Sequence, residues 1–308
     1  MNKAILLKLH RWLALTFAIP LLVIIVTGLI LSFEPIVSQS AIEPGSVTVQ
    51  AVEGLLQRYD PEGTARALFH RPREHIIAIS RGRPGVSTEI DLATGESAVH
   101  DATTLTDVFG IARRTHEHMV FRARWLVTAS TIAMLALTGL GVFIGWPKLR
   151  NTLQGWHRGL GWFLLPLVVL SPLTGLLIAL GVTFTPAPSA ARSANPPLPL
   201  IEAVRILGAE HDLSSLAWIR SLGKTVIARV MEDGEMKTYA LTRDGAVPTA
   251  RNWPRLIHEG TWGGVALSIL NLVTSVALLG LLVTGAWIWA RRKLRQTIKR
   301  RRLPSRAV

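Results

Sequence analysis

HRWLALTFAIPLLVIIVTGLI at 10–30 and HRGLGWFLLPLVVLSPLTGLL at 157–177 read as two copies of one pattern. Each opens on His-Arg, carries a proline near its middle (Pro20, Pro166) and reaches Thr-Gly 17 positions after the histidine (Thr27-Gly28, Thr174-Gly175). A helix of about 20 apolar residues crosses the ~30 Å hydrocarbon core of a bilayer. Four uncharged apolar stretches meet that length, at 12–33, 125–146, 162–184 and 265–289, with tryptophan at or near their ends, where aromatic belts sit. The first exceeds the roughly 7–15 apolar residues of a secretion signal and is read as a retained membrane helix.

Charge sets the orientation. All 20 acidic residues fall within 34–118 and 202–259, whereas 1–12, 147–158 and 290–308 hold 15 Lys and Arg and no acid. Those three short pieces carry almost the whole formal charge of +14. Basic short loops and tails stay on the cytoplasmic side, so both termini are expected inside and the two acidic blocks outside. The basic tail is read as an anchor touching anionic membrane lipid. A nucleic-acid partner is not expected, because these cations hug membrane ends instead of covering a folded face.

The chain has no cysteine, which removes disulfides, thiolate metal sites, iron–sulfur clusters and thioether-linked haem. No nucleotide fingerprint, phosphate loop, zinc-protease helix or nucleophile elbow is present.

The repeat extends beyond the opening pair. His116-Glu117 leads to Thr138-Gly139, and His258-Glu259 leads to Thr284-Gly285 over an interval four residues longer. In the outer blocks, 47–58 and 199–211 have helical spacing. Strands are predicted at HIIAIS (75–80), VSTEIDL (86–92), SLAWIRS (215–221), KTVIARV (224–230) and MKTYALT (236–242), with turns at Thr94-Gly95 and Asp244-Gly245. The Pro-rich run 185–199 reads as a linker. Helix, outer α+β piece, helix is thus used twice, and both halves starting inside predicts a pseudo-twofold along the membrane normal.

Four of the nine histidines mark the starts of the four apolar helices. His10 and His157 are expected near the cytoplasmic face, His116 and His258 near the outer face. Paired imidazoles at one level in a helix bundle are the arrangement that holds haem iron axially. Gly139 and Gly285 fall at the level of the first pair, Gly28 and Gly175 at that of the second, where they let a flat ring approach. Seventeen helical residues span about 25 Å, so two such sites form a relay across the bilayer. Arg11 and Arg158 are candidate partners for haem propionates; inside-positive anchoring accounts for them as well. Interfacial histidines that merely snorkel, and Thr-Gly pairs that merely pack helices, are the plain alternatives. His118, two positions from His116, competes with it as the outer ligand. His70, His75, His100 and His211 are read as surface residues of the outer blocks.

The runs at 9–33, 116–146, 156–180 and 257–289, together with IDLATGE (90–96), resemble the PepSY-associated transmembrane proteins over roughly residues 5–293. The resemblance implies a bacterial inner-membrane protein, multi-pass, with PepSY-like domains in the periplasm; the family includes two-haem reductases that release iron from ferric siderophores. It places an inner haem b on His10 and His157 and an outer haem b on His116 and His258. FRARWLV (121–127) departs from the family's usual Gly-rich step, which leaves His116 and His118 both open.

The expected fold is therefore a membrane all-α four-helix bundle with two periplasmic α+β insertions. Its parts are 1–34 (cytoplasmic end and first helix), 35–115 (first outer block), 116–184 (second and third helices), 185–257 (second outer block), 258–290 (fourth helix) and 291–308 (basic tail). The expected function is electron transfer from a cytoplasmic or quinol donor to a periplasmic acceptor, a ferric siderophore or another Fe(III) chelate. The rival is a haem-free module whose outer domains bind or regulate a periplasmic peptide or protein. A transporter is disfavoured, because the apolar stretches hold no mid-membrane carboxylate or cation.

Overall fold

The computed structural model describes residues 2–82, 87–98, 104–119, 122–147, 150–185 and 198–302, with backbone alone at 299–302. His100, most of the expected linker (186–197) and the end of the basic tail (303–308) lie outside them. The chain forms two compact units, Met1–Leu31 with Ile111–Val182 and Leu270–Val308, and Ser32–Gly110 with Thr183–Ile269.

The first unit is helical. Asn2 caps α1 (Lys3–Thr16) by accepting from the Ala4 amide at 3.0 Å, and α2 (Ala18–Ser40) follows after one residue. Then come α5 (Arg124–Ile144), α6 (Leu153–Phe163), α7 (Leu165–Ala179) and α10 (Gly264–Arg302). By length and apolar content α2, α5 and the Gly264–Ile298 part of α10 can each cross a membrane. A fourth candidate is the pair α6–α7, bent by 65°. The protein is thus a membrane protein with several helices able to span a bilayer. The two breaks fall at matching places: Pro20 cannot donate to the Thr16 carbonyl, nor Pro166 to that of Trp162. Pro35 and Pro172 lie inside α2 and α7 without ending them, so a proline permits the break and does not compel it.

The buried centre of this unit draws on four helices: Leu21 and Ile25 of α2, Met134 of α5, Val168 of α7 and Leu278 of α10. Ile19, Ile132, Phe143, Phe163 and Val276 point outward and are more than half exposed, the surface that a helix offers to lipid.

The second unit is a seven-stranded antiparallel sheet in the order β3-β2-β1-β4-β5-β6-β7. Its strands are β1 (Ala67–Arg71), β2 (Ile76–Ser80), β3 (Ser87–Asp91), β4 (Leu216–Leu222), β5 (Thr225–Glu232), β6 (Glu235–Thr242) and β7 (Gly245–Pro248). Two helices, α3 (Val49–Tyr59) and α8 (Leu200–Glu210), share its core with Leu68, Ile77, Ile79, Ile219, Val226 and Val230. The two outer blocks of the sequence are therefore one folded body, joined where Leu68 of β1 pairs with Ile219 of β4. That pairing removes the free edge each three- or four-stranded piece would otherwise expose. The seam is pinned again where Val47 N–H donates to Ser214 Oγ and Gly45 N–H to Asp212 Oδ2, both at 3.0 Å.

Two short helices complete the chain, α4 (Leu105–His118) and α9 (Trp253–Glu259). His116 and His258 stand on these, not on the long spans that follow. Left-handed Met119 (φ 56°) and Arg122 (φ 58°) end α4, and left-handed Gly260 (φ 68°) ends α9. The unequal intervals from His-Glu to Thr-Gly reflect the helical run before the threonine, which is longer from Gly264 to Thr284 in α10 than from Arg124 to Thr138 in α5.

His70, expected at the surface, is 7% exposed. It alternates with Phe69 and Arg71 along β1, so the pleat turns it into the core with Leu68. His211 is also largely buried, with Nδ1 2.5 Å from Glu232 Oε1. His75 is exposed in a left-handed turn (φ 53°).

Candidate functional site

In the helical unit, His157 on α6 faces α10. Its Nδ1 lies 2.8 Å from Thr284 Oγ1. The Thr284 hydroxyl already donates to the Gly280 carbonyl at 2.6 Å, one turn back, so its oxygen is the acceptor and His157 Nδ1 carries the proton. The Leu281 carbonyl, also on α10, faces the same ring. Directly after Thr284, a Cβ added to Gly285 would stand 3.3 Å from His157 Cε1.

The same seat recurs at His116. Its Nδ1 is 3.0 Å from the Ile24 carbonyl and 3.1 Å from Thr27 Oγ1. A carbonyl can only accept, so Nδ1 is again the protonated nitrogen. Thr27 donates back to Val23 O at 2.7 Å, and a Cβ on Gly28 would stand 3.1 Å from His116 Cε1. In both seats the ring meets the threonine, the glycine after it and the carbonyl three residues before it.

These seats assign two of the four Thr-Gly pairs, Thr27-Gly28 and Thr284-Gly285, a part that spacing alone does not reveal. Threonine accepts the imidazole proton, and glycine makes room for the imidazole itself. In both rings the neutral form keeps Nε2 as its basic nitrogen. Metal-bound histidine has this construction, one nitrogen donating to an oxygen so that the other is fixed as ligand.

His10 on α1 is held differently. Its Nδ1 is buried with no hydrogen-bond partner among the described residues, and the ring meets the Leu137 carbonyl on α5. Thr138 donates to Met134 O at 3.0 Å, and a Cβ on Gly139 would meet nothing within 4 Å. His10 and His157 lie within electrostatic reach of each other. Arg11 is exposed on α1, and Arg158 is half-buried beside His157.

His118 shares the last turn of α4 with His116 but stands by Glu117, Nδ1 to Oε2 3.9 Å, and is 38% exposed. His258 lies half-buried on α9 in the second unit. Gly175 follows Thr174, a buried threonine that donates to Leu170 O at 2.8 Å within α7. Among the described residues no three His, Asp or Glu side chains gather to hold a bare metal ion.

Helix α4 went unread in the sequence although its start is signalled there. Thr104 and Asp107 cap each other, Thr104 N–H donating to Asp107 Oδ2 at 2.9 Å and Asp107 N–H to Thr104 Oγ1 at 3.2 Å. That is the capping-box spacing ahead of an apolar periodic run.

No curated protein matches the sequence. The family model of the PepSY-associated TM region matches residues 7–292, almost the full length, and the chain belongs to that family.

Proposed function

We propose that this chain is a di-haem b electron-transfer protein of the bacterial inner membrane. It passes electrons from a cytoplasmic or quinol donor to a periplasmic ferric siderophore or other Fe(III) chelate. In this reading the α6–α7 pair counts as one span, the four spans form a bundle of two repeated halves, and both termini are cytoplasmic.

The observation that carries the reading is the seat built twice, at His157 and at His116, with Nδ1–H given to a threonine or carbonyl oxygen and Nε2 left basic. Snorkelling histidines have no need of an acceptor on a neighbouring helix, and packing glycines have no need to lie against an imidazole edge. The donor set fits haem, which supplies four nitrogens of its own and asks two imidazoles of the protein. When bound, haem supplies a one-electron couple whose potential depends on its ligands and burial. His10 and His157 would hold the inner group. His116 and His258 would hold the outer one, an assignment that rests on the sequence repeat. Thr284 and Thr27 fix two of the rings, and Gly285 and Gly28 admit them. Arg11 and Arg158 are placed next to the inner histidines in sequence and suit propionates there. The chain's own work is to hold rings, exclude water and set charge, with no acid–base step.

The test is a visible spectrum of the detergent-purified protein, oxidised and dithionite-reduced, with a pyridine haemochrome count. About two b-type haems per chain with low-spin bis-imidazole bands support the proposal. No haem, in protein from haem-supplied cells, overturns it in favour of a haem-free module acting on a periplasmic peptide or protein.

A further inference from the structure

We infer that Glu259 and Arg229 are positioning residues for His258, so that the β-sheet sets the direction of the outer ligand. This rests on the di-haem reading, in which His258 is that ligand.

Helix α9 is seven residues long, about two turns, too short to hold an orientation by its own hydrogen bonds. Its attachments must fix it. Its own Pro254 and Leu256 are buried, and Asn252 caps its start by accepting from the Arg255 amide at 3.2 Å. Those contacts fix where the helix lies. Its rotation about its own axis is fixed at the far end, where Glu259 pairs with Arg229 of β5 at 3.2 Å and with Arg255 one turn back at 3.7 Å. Glu259 follows His258 directly, about 100° further round the helix. Clamping one side chain therefore clamps the direction of the other.

The anchor is stiff. The Arg229 side chain is 14% exposed and that of Glu259 23%, so neither charge can turn to water without leaving the other buried. Arg229 lies across the sheet from Trp218, which it pairs with in register, and its guanidinium sits 6.0 Å from the Trp218 ring. Arg220 covers that ring at 4.5 Å and reaches Phe69 of β1 at 4.9 Å. Stacking of cation on aromatic thus continues from the His258 helix across the seam into the first outer block.

Among the described residues the first half shows no such clamp. Glu117 is 52% exposed, and its ion-pair neighbour among the described residues is His118 at 3.9 Å. There the ring itself is held, through Nδ1, by Ile24 and Thr27. The shared His-Glu pair therefore does different work in the two halves. In the second, the glutamate is the handle by which the sheet holds the histidine's helix.

The test is redox potentiometry with low-spin EPR on the full chain in detergent, comparing Arg229→Gln, Arg229→Lys and Glu259→Gln. Arg229→Gln is expected to keep both haems while altering the outer haem's EPR signal. It should also shift that haem's reduction equilibrium by up to tenfold, about 59 mV for one electron, and leave the inner haem unmoved. Arg229→Lys, which keeps the charge, should restore most of the wild-type signal. Outer signal and potential unchanged in both Arg229→Gln and Glu259→Gln would overturn the inference with the di-haem reading intact. A wild-type protein without a second haem would instead defeat the di-haem reading. If Arg229→Gln does not accumulate, the exchanged pair Arg229→Glu with Glu259→Arg decides: recovery of the outer signal supports the clamp, and a folded protein lacking it overturns it.

Discussion

His157 and His10 hold the same place in the two halves of the sequence, and the protein seats them differently. His157 donates its Nδ1 proton to Thr284 and lies against Gly285, whereas among the described residues His10 Nδ1 is buried without a hydrogen-bond partner and a Cβ on its corresponding Gly139 meets nothing within 4 Å. His116, at the far end of the first half, has the full seat. The difference shows that the repeated letters supply the parts of a seat, and that local helix geometry decides whether the parts meet. His157 and Thr284 lie on α6 and an unbroken α10, whereas α1 brings His10 to α5 at Leu137, one residue short of the threonine. One ring of this pair is thus fixed in tautomer and direction by a threonine, and the other meets instead the Leu137 carbonyl of α5.

The broadest way to break the comparison is to remove the rings. If His10 and His157 together hold a haem as proposed, His157→Ala and His10→Ala should each lower the haem count from about two to one per chain. A pyridine haemochrome count on the purified variants reads this. Two haems retained in either variant would remove that residue from the ligand set.

Next comes the glycine wall. In Gly285→Val the added carbons stand inside the contact distance of His157, whose Cε1 is 3.3 Å from the Cβ position, and overpacking of this kind costs about 1–3 kcal/mol. Gly28→Val is tighter still, at 3.1 Å from His116 Cε1. Both should weaken the low-spin spectrum of their own haem, and more than Gly139→Val, where an added Cβ has no neighbour within 4 Å among the described residues. Equal loss in all three would show that these glycines serve helix packing in general.

The membrane half of the fold was legible because lipid demands long uncharged runs flanked by basic ends. Each of the four apolar stretches overlaps a candidate span, three as single helices and the fourth as the bent pair α6–α7, with ends that differ by up to nine residues. The breaks were harder to see: Pro20 and Pro166 stand in the first turn of the helix after a break, whereas Pro35 and Pro172 lie inside helices that continue. In the outer blocks, five strands and both amphipathic helices follow their alternation and 3.6-residue spacing. Strand β1 was missed, since ALFHR is five residues long with histidine inside, and it was the strand that joins the blocks. No periodicity within one block announces a pairing with another more than a hundred residues away. Of the site, the histidines and their Thr-Gly partners were visible as spacing, but the hydrogen bonds between them depend on which helices adjoin. Arg229 was not visible at all, because nothing in ARV marks an arginine that clamps a helix.

His70 supplies the counterpart in the sheet, a second ring whose buried Nδ1 has no hydrogen-bond partner among the described residues. Burial pushes its pKa from 6.5 down to about 4, against smaller opposing effects of the Leu216 and Ser214 backbone. The folded state therefore favours the neutral ring. Its contribution to stability is complete above pH 6.5, is lost as pH falls from there to about 4, and changes no further below. The whole effect is on the order of 3 kcal/mol. Unfolding of the sheet followed by circular dichroism should be less steeply acid-sensitive in His70→Gln than in wild type across that window. Parallel pH profiles would show that the ring is not buried in solution.

The smallest effect isolates the hydrogen bond itself. Thr284→Val keeps the shape of the side chain and removes the oxygen that accepts His157 Nδ1–H at 2.8 Å. An imidazole that loses its acceptor is a weaker electron donor to iron, so the reduced form gains and the inner potential should rise. A hydrogen bond is worth about 0.5–1.5 kcal/mol, which corresponds to a shift of no more than roughly tenfold in the reduction equilibrium, about 59 mV for one electron. Thr138→Val provides the control, since Thr138 donates to Met134 O within its own helix and His10 Nδ1 has no partner to lose. A rise in Thr284→Val with no change in Thr138→Val is the expected pair of results. Equal shifts in both would mean that, with haem bound as proposed, His10 turns to complete the same seat, and the two halves would then be alike.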